Sequence, residues 1–226
     1  MSQPPHRFAI YYTPPAGSAL ECTAAAWLGR SAWAGESVAG GRGPDALVSA
    51  PRRYGFHATM KAPFRLAEGR TEPALREALE TFCAEQAPVL VPRLTLTRLG
   101  AFFALTEEAP GAAMRDLAAA AVERFEPFRA RLSPDERARR LRTPLPQRET
   151  NYLDRYGYPY VMDAFRFHMT LTGPVPEAGR DAVEAELAER FADAIGRPLR
   201  LDALTLFAEP EPASPFRALA SVPLTG

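Results

Sequence analysis

Two segments of this chain, far apart in sequence, run through the same succession of elements, and that repetition narrows the possible folds more than any other feature. The first reads Phe56–Phe64 (FHATMKAPF), a helical stretch, Leu94–Gly100 (LTLTRLG) and Phe102–Leu105 (FFAL). The second reads Phe167–Val175 (FHMTLTGPV), a helical stretch, Leu201–Phe207 (LDALTLF) and Phe216–Leu219 (FRAL). In both, an aromatic residue precedes a histidine, a threonine follows it at plus two, and a proline follows at plus six (Pro63 and Pro174). Either unit alone would leave one apolar sheet face bare, so the pattern predicts that the two pack into one body with a cleft between them. The expectation is a single bilobal domain over 1–226 with internal duplication, the first unit about 52–106 and the second about 163–224.

Around the repeat, periodicity predicts further elements. Phe8–Thr13 reads as a strand that stops at Pro14, and Ser18 with Glu21 forms a capping box for a helix carrying Leu20, Ala24, Trp27 and Leu28. Glu72–Gln86, Ala112–Glu126 and Gly179–Ile195 read as helices, and Ser133 opens a short basic helix to Arg142. Strands are expected over Phe56–Lys61, Phe165–Thr172 and Leu199–Phe207. Thr143–Asp163 reads as irregular and tyrosine-rich, and glycine-rich Gly35–Pro44 lacks the spacing of a phosphate cradle.

A strand places residues i and i+2 on one face, about 6.6 Å apart. His57 and Thr59 therefore share a face, as do His168 and Thr170, while Phe56, Ala58, Met60 and Phe167, Met169, Leu171 supply apolar opposite faces. The His/Thr faces are the ones left for a cleft. Two imidazoles near neutrality can work as a proton acceptor and a proton donor, which suits opening a phosphodiester: one activates water and the other protonates the departing oxygen. Threonine hydroxyls can hydrogen-bond the non-bridging oxygens. By the same alternation Lys61, the only lysine among 27 basic residues, is expected to face the phosphate as a compact cation. Tyr54, Tyr158 and Arg155 are candidates for substrate contact. Against this stand two buried structural histidines, a codon accident for Lys61, and a metal site. The last finds no HxxE, HxH or HExxH spacing, so no metal and no cofactor is expected.

Composition restricts the substrate. With 27 basic and 27 acidic residues the formal net charge is zero, whereas a protein that grips long nucleic acid usually carries a basic excess. A small phosphorylated or nucleotide-like molecule is the expected partner. Two cysteines make no disulfide framework, no apolar run reaches membrane-spanning length, and Met1–Pro5 has no signal-peptide layout, so a cytoplasmic location is expected. The sequence leaves the oligomeric state open.

Paired His-x-Thr motifs on strands of a repeated unit resemble the 2H phosphoesterase superfamily, which includes 2′-5′ RNA ligase-like proteins and cyclic nucleotide phosphodiesterases. More narrowly, RFAIYYTPP, PRRYGFHATMKAPFRL and RYGYPYVMDAFRFHMTLTGP are similar to an uncharacterised branch found in phosphonate-metabolism operons. The resemblance implies an α+β fold of two antiparallel sheets flanked by helices with a central cleft. It also implies metal-independent catalysis by His57 and His168, with Thr59 and Thr170 on the phosphate. The expected reaction is hydrolysis of a small cyclic phosphodiester, a nucleoside 2′,3′-cyclic phosphate or a ribose cyclic phosphate. Processing of 2′-linked RNA ends, and a non-catalytic nucleotide sensor, are the competing expectations.

Overall fold

The structure, a computed structural model, describes residues 5–33, 38 and 43–226. Most of the glycine-rich stretch 35–44 lies outside the described residues. In chain order the elements are β1 (Arg7–Tyr12), α1 (Ala19–Leu28), α2 (Asp45–Arg52), β2 (Ala58–Phe64), α3 (Glu72–Ala84), β3 (Val89–Val91), β4 (Leu94–Leu99), β5 (Phe102–Glu107), α4 (Ala112–Arg124), α5 (Pro134–Arg140), α6 (Gln147–Tyr156), β6 (His168–Thr170), α7 (Arg180–Arg190), β7 (Leu199–Leu201), β8 (Ala203–Glu209) and β9 (Arg217–Pro223). The fold is α+β. One antiparallel sheet of seven strands runs β4-β5-β6-β2-β1-β8-β9, and β3 pairs with β7 in a second, two-stranded antiparallel sheet. Among the described residues no helix is long and apolar enough to cross a membrane.

The two histidine motifs lie on neighbouring strands at the middle of the large sheet, where β2 meets β6 through the single residue pair Ala58↔Met169. The repeated units are interleaved around this seam. Hairpin β4–β5 follows the first motif in the chain, yet it pairs with β6, the strand of the second motif. Hairpin β8–β9 follows the second motif, yet it pairs with β1, which in turn pairs with β2.

One face of the sheet carries the main core. Phe8, Ile10, Ala58, Met60, Phe103, Leu105, Met169 and Leu206 pack there against Trp27 and Leu28 of α1, Leu75 and Leu79 of α3, Leu117 and Ala121 of α4, and Leu187 of α7. Each fully buried Leu or Phe contributes about 1.5–3 kcal/mol from the surface it removes from water. After Arg7, strand β1 is apolar because it is covered twice: Ala9 and Tyr11 enter a second, smaller cluster with Ala32, Phe207 and Phe216 on the opposite face.

Several expectations need correction. The segment Thr143–Asp163 contains α6, capped by Gly157 at φ 73°. Its buried residues Glu149, Leu153 and Tyr156 keep helical spacing, but one is charged, which hid the apolar stripe. The stretch Leu199–Phe207 breaks at exposed Asp202 into two strands that serve different sheets. Strand β6 is only three residues long, and α2 had no sequence signal strong enough to read. At α1, Ser18 Oγ accepts from Glu21 N at 3.3 Å as expected, while the Glu21 carboxylate accepts from Gly17 N at 3.3 Å and Ser31 Oγ at 2.6 Å.

Candidate active site

His57 ends the turn that leads into β2, and His168 opens β6. Both rings are half-buried, as are Thr59 and Thr170, while Phe56, Ala58, Phe167 and Met169 are buried beneath the sheet. The alternation expected from period-two geometry is present at both motifs. Backbone paths on either side repeat one local device: His57 Nδ1 lies 2.8 Å from the carbonyl oxygen of Gly55, and His168 Nδ1 lies 2.8 Å from that of Arg166. A carbonyl only accepts, so each Nδ1 carries the proton and each Nε2 is the nitrogen left for a ligand. His57 Nε2 is 3.2 Å from Thr59 Oγ1, so the threonine hydroxyl donates to it. The His57 ring is also stacked on Tyr11, with centroids 3.8 Å apart and planes inclined by 26°.

The four motif residues line one cleft of about 240 Å³ together with Arg7, Tyr11, Tyr54, Ala62, Pro63, Arg140 and Tyr158. It continues past Thr59, Tyr158 and His168 into a hollow of about 600 Å³ walled by Phe102, Tyr160, Phe165, Arg148 and Asp163 among others. Burial pushes the His57 imidazole down to about 4; the Gly55 carbonyl opposes this and the charge of His168 adds to it. Burial also lowers His168, with the Arg166 carbonyl opposing and the Arg166 charge adding. Both rings are therefore neutral at pH 7.

The family model described as "Protein of unknown function (DUF1045)" matches residues 59–217, a span that includes Thr59, His168 and Thr170. The chain belongs to the DUF1045 family. It is 36% identical over 231 residues to a "Ribose 1,5-bisphosphate phosphokinase PhnN" of Janthinobacterium sp. (strain Marseille), covering 97% of this chain and 51% of the relative. It is 37% identical over 215 residues to a protein of the same name from Laribacter hongkongensis (strain HLHK9), covering 93% of this chain and 50% of the relative. The chain thus spans about half the length of the curated relatives it matches. Among solved structures, E. coli LigT complexed with NADP+ is similar over 98% of this chain and 99% of its own, at 13% identity and a TM-score of 0.47.

In this DUF1045 chain the other residues singled out from the sequence divide into two groups. Tyr54 and Tyr158 stand in the cleft: Tyr54 is 6.1 Å from His57 between ring centroids and stacks on Phe216, and Tyr158 meets Tyr160 edge-on at 5.5 Å. Burial pushes the Tyr158 hydroxyl up to about 12, with Arg140 opposing, so it stays protonated. Lys61 and Arg155 are elsewhere. Tyr11 pairs with Thr59 and Ile10 with Lys61, so Met60 is an extra, unpaired residue in β2. That bulge inverts the alternation: Ala62 comes to the cleft wall, and Lys61 turns under the sheet, 2% exposed, where Nζ donates to Val122 O at 2.8 Å and to Glu126 Oε2 at 2.6 Å. Arg155 is exposed, its guanidinium 4.9 Å from the Tyr156 ring, and borders a separate hollow with Glu126, Arg137 and Asp154.

Three cleft residues escaped the sequence reading. Tyr11 sits in the uniformly apolar strand FAIYYT, where no alternation distinguishes its face. Arg7 precedes it, and Arg140 was visible only as one of several arginines in the basic stretch 137–142. Asp163, the nearest acid to the second motif in sequence, is engaged away from the imidazoles: Tyr152 Oη donates to it at 2.5 Å and Arg148 Nη1 at 3.0 Å. Among the described residues no three His, Cys, Asp or Glu side chains gather in a metal-binding group.

Proposed function

We propose that this cleft is the active site of a metal-independent phosphoesterase of the 2H type that hydrolyses a small cyclic phosphodiester by two-histidine acid–base catalysis. The supporting observation is the meeting of His57 and His168 on one cleft wall, each with Nδ1 held on a backbone carbonyl and Nε2 left for substrate. His57, the ring displaced further toward neutrality, suits the base. Its Nε2 removes a proton from water as the water oxygen bonds to phosphorus. The ester P–O bond breaks, and the departing sugar oxygen takes the Nε2 proton of His168, which leaves a phosphomonoester and a hydroxyl. The bound anion is what favours imidazolium at His168, since an opposite charge within reach stabilises the protonated ring. Thr59 and Thr170 donate to the non-bridging oxygens as charge grows there, and Thr59 gives up its bond to His57 to do so.

Two features support a ribose-based substrate. The aromatic walls of the adjoining hollow suit a sugar or a base stacked on Tyr158 or Phe165. The relatives are named for a ribose carrying phosphates. The test is turnover of nucleoside 2′,3′-cyclic phosphates and ribose cyclic phosphates with EDTA present. Hydrolysis is expected in chelator, and falls by about 10²-fold or more in His57→Ala and in His168→Ala. Activity that vanishes with EDTA, or that survives either substitution, overturns the proposal. Tight nucleotide binding without turnover would mark a sensor instead.

A further inference from the structure

One end of the cleft holds more positive charge than the protein neutralises. Arg7 Nε and Nη2 donate to the two oxygens of Glu209 at 2.5 and 2.9 Å, and Arg53 donates to the same carboxylate. Glu209 is fully buried and thus faces two guanidinium groups at once. Arg140, half-buried at the end of α5, is a third cation beside them. Its guanidinium lies 5.8 Å from the Tyr158 ring centroid, and it makes no hydrogen bond or ion pair with any described residue.

Taking a guanidinium out of water is costly unless a partner replaces the lost hydration. Of the arginines that wall the same hollow, Arg65 donates to Glu136 at 2.8 Å and Arg129 to Glu126 at 2.5 Å, while Arg139 is exposed to water. Arg140 is held by the face of an aromatic ring, which leaves the donors along its edge unspent. Its place matters as much as its vacancy. Arg7, Ala62, Pro63 and Arg140 are the walls shared by the cleft of the histidines and an adjoining hollow of about 250 Å³. A molecule whose diester lies between His57 and His168 therefore reaches this corner with its far end.

We infer that Arg140, with Arg7 beside it, receives a second phosphate, so that the substrate of the cleft is a sugar bearing a terminal phosphomonoester as well as the cyclic diester. A planar fork of N–H donors matches phosphate oxygens two at a time, and a dianion balances the surplus charge left around Glu209. This inference rests on the phosphoesterase reading for the first phosphate and adds the second.

Binding without turnover tests it. Calorimetric titration of the wild-type chain with ribose 1,5-bisphosphate and with ribose 1-phosphate should give affinities that differ by roughly 10- to 100-fold in favour of the bisphosphate, the scale of charge-assisted hydrogen bonds. Arg140→Gln should erase that preference, and Arg140→Lys should restore part of it. Equal affinities in the wild type, or a preference that survives Arg140→Gln, overturns the inference. Because no step of hydrolysis enters the readout, a bisphosphate preference without diester turnover would uphold the anion corner and sink the phosphoesterase reading.

Discussion

A histidine whose Nδ1–H is committed to a carbonyl can act on a ligand only through Nε2, and His57 and His168 are committed in the same way. The base must be unprotonated and the acid protonated, so their displacements predict the pH profile. On the proposed assignment kcat/KM rises with pH as His57 loses its proton near 4. It falls again as His168 loses its own, below the ordinary histidine value of about 6.5 because burial lowers that ring. The expected bell for kcat/KM, which reports the free enzyme, has both limbs on the acid side of pH 6.5. Rates measured across pH 3.5 to 8 (roughly the span of both limbs) check this, and an optimum above neutrality would contradict it. Lys61 gives the opposite kind of prediction. Burial pushes its ammonium down to about 8 in spite of Glu126, so it is a costly cation held for structure. Lys61→Ala should lower unfolding free energy in urea by roughly 1–3 kcal/mol, since it removes the buried donor to the Val122 carbonyl and to Glu126, which keeps its ion pair with Arg129. KM for a cyclic phosphate should stay within about twofold, because the side chain is under the sheet and away from the cleft.

Strands and turns decide which of those side chains reach the cleft. The turn before β2 depends on Gly55, at φ 76°, where an added Cβ would come within 2.7 Å of the Ala32 Cβ. Its carbonyl also holds the His57 ring. Gly55→Ala should therefore cost about 1–3 kcal/mol of stability and reduce kcat together, measured by denaturation and by turnover on one preparation. The two His-x-Thr pairs were legible from sequence because alternation over three residues needs only a short straight strand. Lys61 was not, because the unpaired Met60 lies between it and Thr59, and a bulge leaves no mark in the pattern of apolar residues. Arg140 and Arg155 were equally ambiguous for another reason. An arginine on a polar helix gives no sign of the partner it meets, and only the placement of α5 and α6 separates the cleft from the outer surface. Helix α6 itself was lost because charged Glu149 occupies a buried position that a stripe-based reading reserves for apolar residues.

At the level of the whole molecule, the interleaving of the two units sets how the chain comes together. Each motif strand depends on a hairpin from the other unit, β6 on β5 and β2 through β1 on β8. Each half carries only separate strand pairs, β1–β2 and β4–β5 in one and β8–β9 in the other, so fragments 1–109 and 110–226, cut in the loop before α4, should each lack a cooperative thermal transition when alone. Mixed or co-expressed, they should associate and regain one, as followed by circular dichroism and size-exclusion chromatography. Independent folding of either fragment would contradict the topology. The seam between β2 and β6 carries one further consequence. A sheet seven strands wide that is stitched at its centre by Ala58 and Met169 alone has a crease, and a sheet bends first at its crease. The two imidazoles stand on opposite banks of that line. A change in the gap between the two imidazoles would therefore break fewer ladder bonds there than at any other junction of the sheet.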